Sequence, residues 1–517
     1  MEFIGEFVDS SDIAVTVSLT EMMKAEFRGY RKTWYCIAVD AAAAAAIMRA
    51  MSVIKFGTSG WRGIISDTFT FANVEVAALA IAQHLSENPP PGARKLLIVG
   101  HDTRFLSRAY ATRCAEIAAG HGFEVWLTDR DTPTPVISHS IRAHKASGGI
   151  NITASHNPSE WNGLKFNESN GAPCLPETAK SIENKAEIIS RQPSAVRRNT
   201  EAVKIFNPMP RYVAQLHKLV DFATLKKHRK RAVVDLMFGT GRGYLDEQLV
   251  RSGWRVDALH GELNPLFGDG HPEPIREHMG ELLARLRKSK AALGLGLDPD
   301  ADRFAIVDRD GTFINANQAL ALTLYHLAKN RRWTGAVVRT VATSHLVDAV
   351  ARKLGVTVHE TPVGFKYIGA LMESEPIIVG GEESGGLSVK GHVPEKDGIL
   401  ACLLMAELVA YEGKPLGTIL REIQTWAGGI VSDRINLRVT PERKEDLLRR
   451  FAGGLDEFGG RKVTDVVTKD GYKFLLGDGC WVMFRASGTE PVFRCYLEAR
   501  TRRQLAGFHK AALELVQ

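Results

Sequence analysis

Ala232-Val233-Val234-Asp235-Leu236, then Gly239-Thr240-Gly241-Arg242-Gly243, then Gly253-Trp254-Arg255-Val256: a short apolar run, a glycine-rich turn and, after a helical interval, a second strand entry. The same order of parts occurs twice more. Lys95-Leu96-Leu97-Ile98-Val99-Gly100 leads through a polar loop and a helical stretch to Gly122-Phe123-Glu124-Val125-Trp126-Leu127. Ala336-Val337-Val338-Arg339-Thr340, with Ser344 as the expected N-cap, leads to Gly355-Val356-Thr357-Val358. Each interval suits a helix of about three turns. A glycine just past a helix end takes the left-handed conformation without a Cβ clash, so each G-x-x-V reads as a C-cap followed by a strand. Such units build parallel or mixed sheets with helices on both faces. Three copies predict an α/β fold of three similar domains, each a mixed sheet flanked by helices. One large doubly wound sheet is the alternative.

The pattern changes after Trp426-Ala427-Gly428-Gly429. Strand alternation over 430–439 precedes a helical stretch over 442–458, strands at 480–484 and 492–498, and a last helix from about Thr501. This predicts a smaller C-terminal α+β domain. The expected boundaries are 51–205, 206–310, 311–425 and 426–517, behind an extension of residues 1–50. Domain patterning starts at Met51-Ser52-Val53-Ile54-Lys55-Phe56, so Met51 is the expected true start and residues 1–50 a disordered or mis-assigned extension.

At 517 residues the chain exceeds a single core. Its 44% apolar and 24% charged residues are those of an ordinary globular protein. The net charge of +7 is not gathered into an aromatic-laced basic stripe. The one dense run, Lys226-Lys227-His228-Arg229-Lys230-Arg231, reads as a solvated helix end or linker, so no nucleic-acid partner is expected. The six cysteines form no C-x-x-C pair, which argues for a reduced, cytoplasmic compartment and against thiolate zinc. No apolar stretch reaches the ~20 residues of a membrane helix.

Four loops carry the chemistry. Thr153-Ala154-Ser155-His156-Asn157-Pro158 presents a serine beyond a strand, with Lys165 ten positions on. Lysine or histidine can exchange the proton that a serine nucleophile must lose; an ordinary turn serine is the plain alternative. Gly296-Leu297-Asp298-Pro299-Asp300-Ala301-Asp302-Arg303 sets three carboxylates at alternate positions, which repel unless a hard cation sits among them. Arg303 and Arg309 stand where a calcium EF-hand needs glycine and glutamate, so magnesium or a solvated acidic turn remains. Gly380-Gly381-Glu382-Glu383-Ser384-Gly385-Gly386 lets backbone approach a ligand while Glu382 and Ser384 face one side, unless it is a flexible surface loop. Arg485-Ala486-Ser487-Gly488-Thr489-Glu490-Pro491 offers donors that suit a phosphate dianion; its alternative is a simple hairpin turn.

Together, and in this order, these four loops resemble the signature loops of the α-D-phosphohexomutases, the phosphoglucomutase and phosphomannomutase group. Phe56-Gly57-Thr58-Ser59-Gly60-Trp61-Arg62-Gly63 resembles that family's opening motif. The resemblance covers about residues 53 to 517 and implies four domains around a central cleft. It implies a phosphoserine at Ser155, and Mg²⁺ held by Asp298, Asp300 and Asp302 with a phosphoserine oxygen. Lys165 becomes the general acid/base, with Arg62, His156 and Arg303 supporting the reacting groups. Glu382 and Ser384 read O3 and O4 of the ring, and Arg485, Ser487, Gly488 and Thr489 grip the idle phosphate. Lys366 and Arg339 are weaker candidates for sugar or phosphate contact. The implied reaction interconverts hexose 1-phosphate and hexose 6-phosphate, with hexose 1,6-bisphosphate as intermediate and activator. Hexose phosphates are then the partners of a monomer or small homo-oligomer. The third loop resembles glucose-type enzymes, with phosphomannomutase or phosphoglucosamine mutase activity as the alternative. A non-catalytic sugar-phosphate-binding protein and a serine-dependent phosphomonoesterase are remoter readings.

Overall fold

The computed structural model describes residues 54–57, 60–191, 195–486 and 492–516. The expectations for residues 1–50 and the Met51 start lie outside these, as do Thr58, Ser59, Ser487, Gly488 and Thr489. Val53–Gln517 forms one compact unit.

Its strands make four sheets. The first runs Trp61–Ile64, Trp161–Glu168, Ala146–Ile152, Arg94–His101, Glu124–Thr128, Val203–Phe206 in spatial order. The second runs Phe313–Ile314, Phe304–Asp308, Leu293–Leu297, Arg231–Asp235, Arg255–Leu259. The third runs Val358–Thr361, Ala336–Thr340, Ile377–Glu382, Gly386–Val389. One plan underlies all three. The strand predicted to open each repeat has a parallel neighbour on either side, and one of those neighbours turns back as an antiparallel strand. These opening strands read as apolar runs because helices cover both faces; Leu96, Leu97, Ile98 and Val99 are all buried.

The helices within the repeats span Ser107–Gly120, Leu245–Arg251 and Leu346–Leu354. The second has only two turns, because residues 236–244 are spent in the turn that precedes it. Gly355 is the left-handed C-cap of the third, while Gly122 and Gly253 stand one residue beyond their caps with positive φ. His345, not Ser344, holds the N-cap position there, although Ser344 Oγ still accepts from the Leu346 amide.

The helix Gly398–Glu412 is apolar on every side, and such a helix must be buried. It lies in a core shared by the second and third sheets, which joins Val234, Leu295 and Ile306 to Val337, Val379 and Leu387. The C-terminal sheet is antiparallel and has six strands, in the order Val431–Arg438, Val492–Ala499, Trp481–Ala486, Tyr472–Leu476, Arg461–Val467, Glu457–Phe458. Three of these were not expected. The helix Pro441–Ala452 stops at Gly453-Gly454, which leaves residues 457–476 free to form them.

Candidate active site

Three of the four predicted loops occupy the same place in their repeats, namely the connection from a parallel strand to its antiparallel partner. The Ser155 loop joins Ala146–Ile152 to Trp161–Glu168, the Asp298 loop joins Leu293–Leu297 to Phe304–Asp308, and the Glu382 loop joins Ile377–Glu382 to Gly386–Val389. Ligand clefts of open α/β sheets form at these carboxyl ends.

Ser155 is buried and has a φ of 52°. A non-glycine residue in this left-handed region is held there by its surroundings. Arg104 supplies the hold. From inside the protein it donates through Nη2 to the carbonyls of Ser155 (2.6 Å) and Asn157 (2.5 Å), and through Nη1 to those of Pro158 (2.6 Å) and Trp161 (3.0 Å). Its Nε lies 3.1 Å from Asp102 Oδ2, an ion pair with both side chains fully buried. Gly163 lets the strand carrying Arg62 come close, since a Cβ there would meet Thr153 O at 2.6 Å and Trp61 O at 2.9 Å. Arg62 then donates to Asn157 Oδ1 at 2.6 Å, and His156 Nδ1 lies 3.3 Å from Ser155 Oγ.

Ser155 Oγ donates to Asp298 Oδ2 across 2.8 Å, from the first sheet to the second. Asp298, Asp300 and Asp302 are buried, with ligand oxygens within 4.8 Å of one another. At an effective dielectric of about 20, each like-charge pair at that range costs roughly 3–4 kcal/mol. Lys165 bridges Asp300 (2.5 Å) and Asp302 (2.8 Å), and Lys396 stands 3.5 Å from Asp302. Thr134 also donates to Asp300, and the Arg303 amide donates to Asp298 Oδ1 at 2.9 Å.

The titration of these groups follows from burial and neighbours. Burial, reinforced by Asp300 and Asp302, pushes the Asp298 carboxyl well above the usual range. Burial works in the same direction on Asp302, but Lys165, Lys396 and Arg303 outweigh it and hold that carboxyl far down. Burial opposes the Lys165 charge, yet Asp300 and Asp302 outweigh burial and raise it. Burial and the neighbouring Arg303 lower Arg62 to about 10 and His156 well below its ordinary value. Asp300 Oδ1 and Asp302 Oδ1 are buried with no hydrogen-bond partner among the described residues. Three mutually repelling hard oxygen donors with unpartnered atoms fit a divalent cation.

Glu382 is buried at its strand end, and burial raises its carboxyl against the pull of Lys396; Ser384 hydrogen-bonds it. Lys396 lies across Gly386, where a Cβ would meet its chain at 2.2 Å, and it pairs with Glu395 at 2.8 Å. Glu395 in turn accepts from Asn167 of the first sheet at 2.8 Å. Gly398 brings this segment onto the aspartate loop: its amide donates to Ala301 O at 3.0 Å, and a Cβ would strike Arg303 O at 2.4 Å.

Arg485 and Lys366 line a cavity of about 450 Å³ together with Lys180, Lys469 and Asp470. Asp470 accepts from Arg485 Nε (3.0 Å) and from the Val363 amide (2.9 Å). Arg339 departs from its expected role. Its guanidinium is committed to Asp348 (2.6 and 2.8 Å) and Glu360 (2.8 Å), which makes it a buried ion-pair residue and not a sugar or phosphate contact.

Sequence reasoning missed Asp102, Arg104, Thr134, Glu395, Lys396 and Asp470. The one available signal was charge pressed against apolar runs: His101-Asp102-Thr103-Arg104 directly follows a buried strand, and Glu395-Lys396-Asp397 directly precedes an apolar helix.

The chain matches the phosphoglucomutase/phosphomannomutase alpha/beta/alpha domain I over residues 53–192, domain II over 210–311, domain III over 315–426 and the C-terminal domain over 435–515. It belongs to the phosphoglucomutase/phosphomannomutase family. It is a phosphohexomutase, an intramolecular phosphotransferase. A phosphoglucomutase/phosphomannomutase of Thermococcus kodakarensis is 29% identical, covering 89% of this chain and 98% of its own. A phosphoglucomutase of Komagataeibacter xylinus is 30% identical over 86% and 87%. A solved structure assigned as a phosphomannomutase of Thermus thermophilus superimposes with a TM-score of 0.79 at 34% identity, over 90% of this chain and 99% of that one. Among the described residues no helix is long and apolar enough to cross a membrane.

Proposed function

We propose that the chain interconverts glucose 1-phosphate and glucose 6-phosphate through a phosphorylated Ser155 and a hexose 1,6-bisphosphate that reverses in the cleft. The observation that carries this reading is the 2.8 Å bond from Ser155 Oγ to Asp298, which sets the nucleophile against a buried carboxylate trio. Phosphoryl transfer is catalysed mainly by positioning and charge neutralisation, and this corner supplies both.

Asp298, Asp300 and Asp302, with an oxygen of the phosphorylated Ser155, would hold Mg²⁺. When bound, that ion supplies positive charge against the phosphoryl oxygens. Arg104 fixes the nucleophile's backbone and Asn157 orients Arg62. Arg62 and Arg303 put cations beside the reacting phosphate. Lys165, shared by two of the carboxylates, holds the proton exchanged with the sugar hydroxyl. Glu382 and Ser384 bind ring hydroxyls common to both orientations, and Arg485, with Lys366 in the same cavity, takes the idle phosphate. Ser487, Gly488 and Thr489, which lie outside the described residues, are assigned to the same grip by their motif. Residues 51–205, 206–310, 311–425 and 426–517 are proposed as the working domains, and the cytoplasm, where hexose phosphates reside, as the compartment.

The test is a coupled assay with Mg²⁺ and trace glucose 1,6-bisphosphate, comparing glucose, mannose and glucosamine 1-phosphates. Ser155→Ala should lose about 10³-fold or more in turnover, as removal of a nucleophile does, and should no longer carry phosphate on the protein. Wild-type turnover in that variant rejects the reading. Mannose is the second reading. It is favoured by the phosphomannomutase names among the relatives and by contacts at O3 and O4, which do not sense the configuration at C2.

A further inference from the structure

Behind the serine loop lies a cavity of about 800 Å³ that the reaction does not use. It opens at the carboxyl end of Arg94–His101, where the chain passes through His101–Leu106 into the helix Ser107–Gly120. The residue before that helix, Leu106, is left-handed and gives no side-chain cap, and the Ser107 amide is bonded to the Arg104 carbonyl at 3.1 Å.

Two buried side chains that line the cavity, His101 and Thr103, are 5% and 8% exposed, and His101 Nε2 and Thr103 Oγ1 have no partner among the described residues. Two arginines reach the same space with only long contacts. Arg108 Nη1 lies 3.5 Å from Asp129 O, and Arg130, the next residue, has Nη2 3.5 Å from Asp131 Oδ2 and 3.3 Å from Arg242 O. Phe71, Leu106 and Leu263 add apolar surface to its lining. The volume and the apolar surface exceed what inorganic phosphate alone requires.

We propose that this cavity binds an organic phosphate monoester, distinct from the substrate in the cleft. Its phosphate sits between Arg108 and Arg130, and its carbon skeleton lies on the apolar residues with a polar group toward His101 and Thr103. Such a ligand acts on the nucleophile through the loop it touches. Asp102 takes its place from the Ile152 carbonyl (2.9 Å) and from Ser107 Oγ (2.6 Å), and the adjacent Arg104 carries the four carbonyl contacts of the serine loop. Occupancy therefore tightens or loosens the clamp on Ser155 without contact to substrate.

Calorimetry on the full-length protein with inorganic phosphate, AMP and ribose 5-phosphate tests this. The wild type should bind one equivalent of AMP or ribose 5-phosphate at least tenfold more tightly than phosphate. The double variant Arg108→Glu/Arg130→Glu should lose that binding while keeping unstimulated turnover within twofold. The bound ester should alter kcat without competing with the sugar phosphate, and should change hydrogen exchange across residues 153–161, in the wild type only. AMP binding tighter than ribose 5-phosphate assigns a nucleotide; equal binding assigns a sugar phosphate. Identical isotherms for wild type and variant overturn the site. Failure of both esters to exceed inorganic phosphate overturns the organic assignment. A competitive effect on the sugar phosphate assigns the binding to the cleft and overturns it as well.

Discussion

Replacing Arg104 with lysine tests what holds Ser155, the proposed nucleophile. Lysine keeps a cation beside Asp102, so the buried carboxylate is not stranded, a loss that would cost ~3–5 kcal/mol. It cannot reproduce the planar fork that reaches four carbonyls at once, because its donors sit on a single nitrogen. With two of the four carbonyls left without a donor, at ~1–1.5 kcal/mol each, the fold loses about 2–3 kcal/mol. The larger effect falls on catalysis. Ser155 has a φ of 52°, a conformation costing ~1–2 kcal/mol that relaxes once its carbonyl is released. A displacement of ~1 Å at a reacting group lowers the rate by about 10²-fold. Arg104→Lys should therefore lower the urea midpoint moderately and kcat by about two orders of magnitude, with KM for the sugar phosphate nearly unchanged. Denaturation followed by circular dichroism and steady-state kinetics read the two effects separately. A variant with lowered stability but kcat within threefold of wild type would refute the clamp and leave Arg104 a purely structural residue.

Two further perturbations probe the C-terminal domain. Asp470→Ala frees Arg485 Nε and the Val363 amide together, so KM for both hexose phosphates should rise roughly tenfold, the ~1.4 kcal/mol of one charged hydrogen bond, with kcat little changed; an unaltered KM would show that Arg485 needs no such guide. Lys473, buried over Trp481 and bonded to Val341 O and His345, is lowered to about 8 by burial and by the nearby Arg339. Between that value and its ordinary ~10.4 the unfolded chain binds the extra proton, so this residue makes stability rise with pH across the window. Urea denaturation at pH 7.5 and 9.5 should show wild type gaining on Lys473→Met at the higher pH, and the opposite trend would refute the assignment.

The α/β repeats were legible because parallel strands buried on both faces leave continuous apolar runs. The four loops were singled out by their order along the chain and their joint resemblance to one family, because each alone also reads as an ordinary turn or surface loop. The strands Arg461–Val467 and Tyr472–Leu476 were not. The first is Arg461-Lys462-Val463-Thr464-Asp465-Val466-Val467 with most positions exposed, so no buried face marks it. Arg339 was misread for want of register: an arginine at a strand end resembles a phosphate ligand until parallel pairing sets it beside Glu360. Arg104 and Lys396 stayed hidden for the converse reason. Each acts on a backbone or carboxylate some 50 to 100 residues away, as from Lys396 to Asp302, and sequence spacing carries no trace of that contact.

The repeated plan explains how one site gathers such incompatible parts. A serine in a strained conformation and three close carboxylates would each destabilise a domain that had to keep them alone. Here the connection following a parallel strand is built three times, and each copy carries a different group: a serine in the left-handed region, a carboxylate trio, a buried glutamate. The compensating groups come largely from other repeats. Lys165 of the first sheet and Thr134, which opens the helix Thr134–His144 of the same repeat, both reach Asp300 Oδ2, and Lys396 of the third repeat partly neutralises Asp302. Asn167 of the first anchors the Glu395 that positions Lys396. Because each loop's cost is offset by a neighbour, the reactive arrangement exists only where three sheet ends meet. The shared apolar core around the helix Gly398–Glu412 fixes two of those ends relative to each other before any ligand arrives.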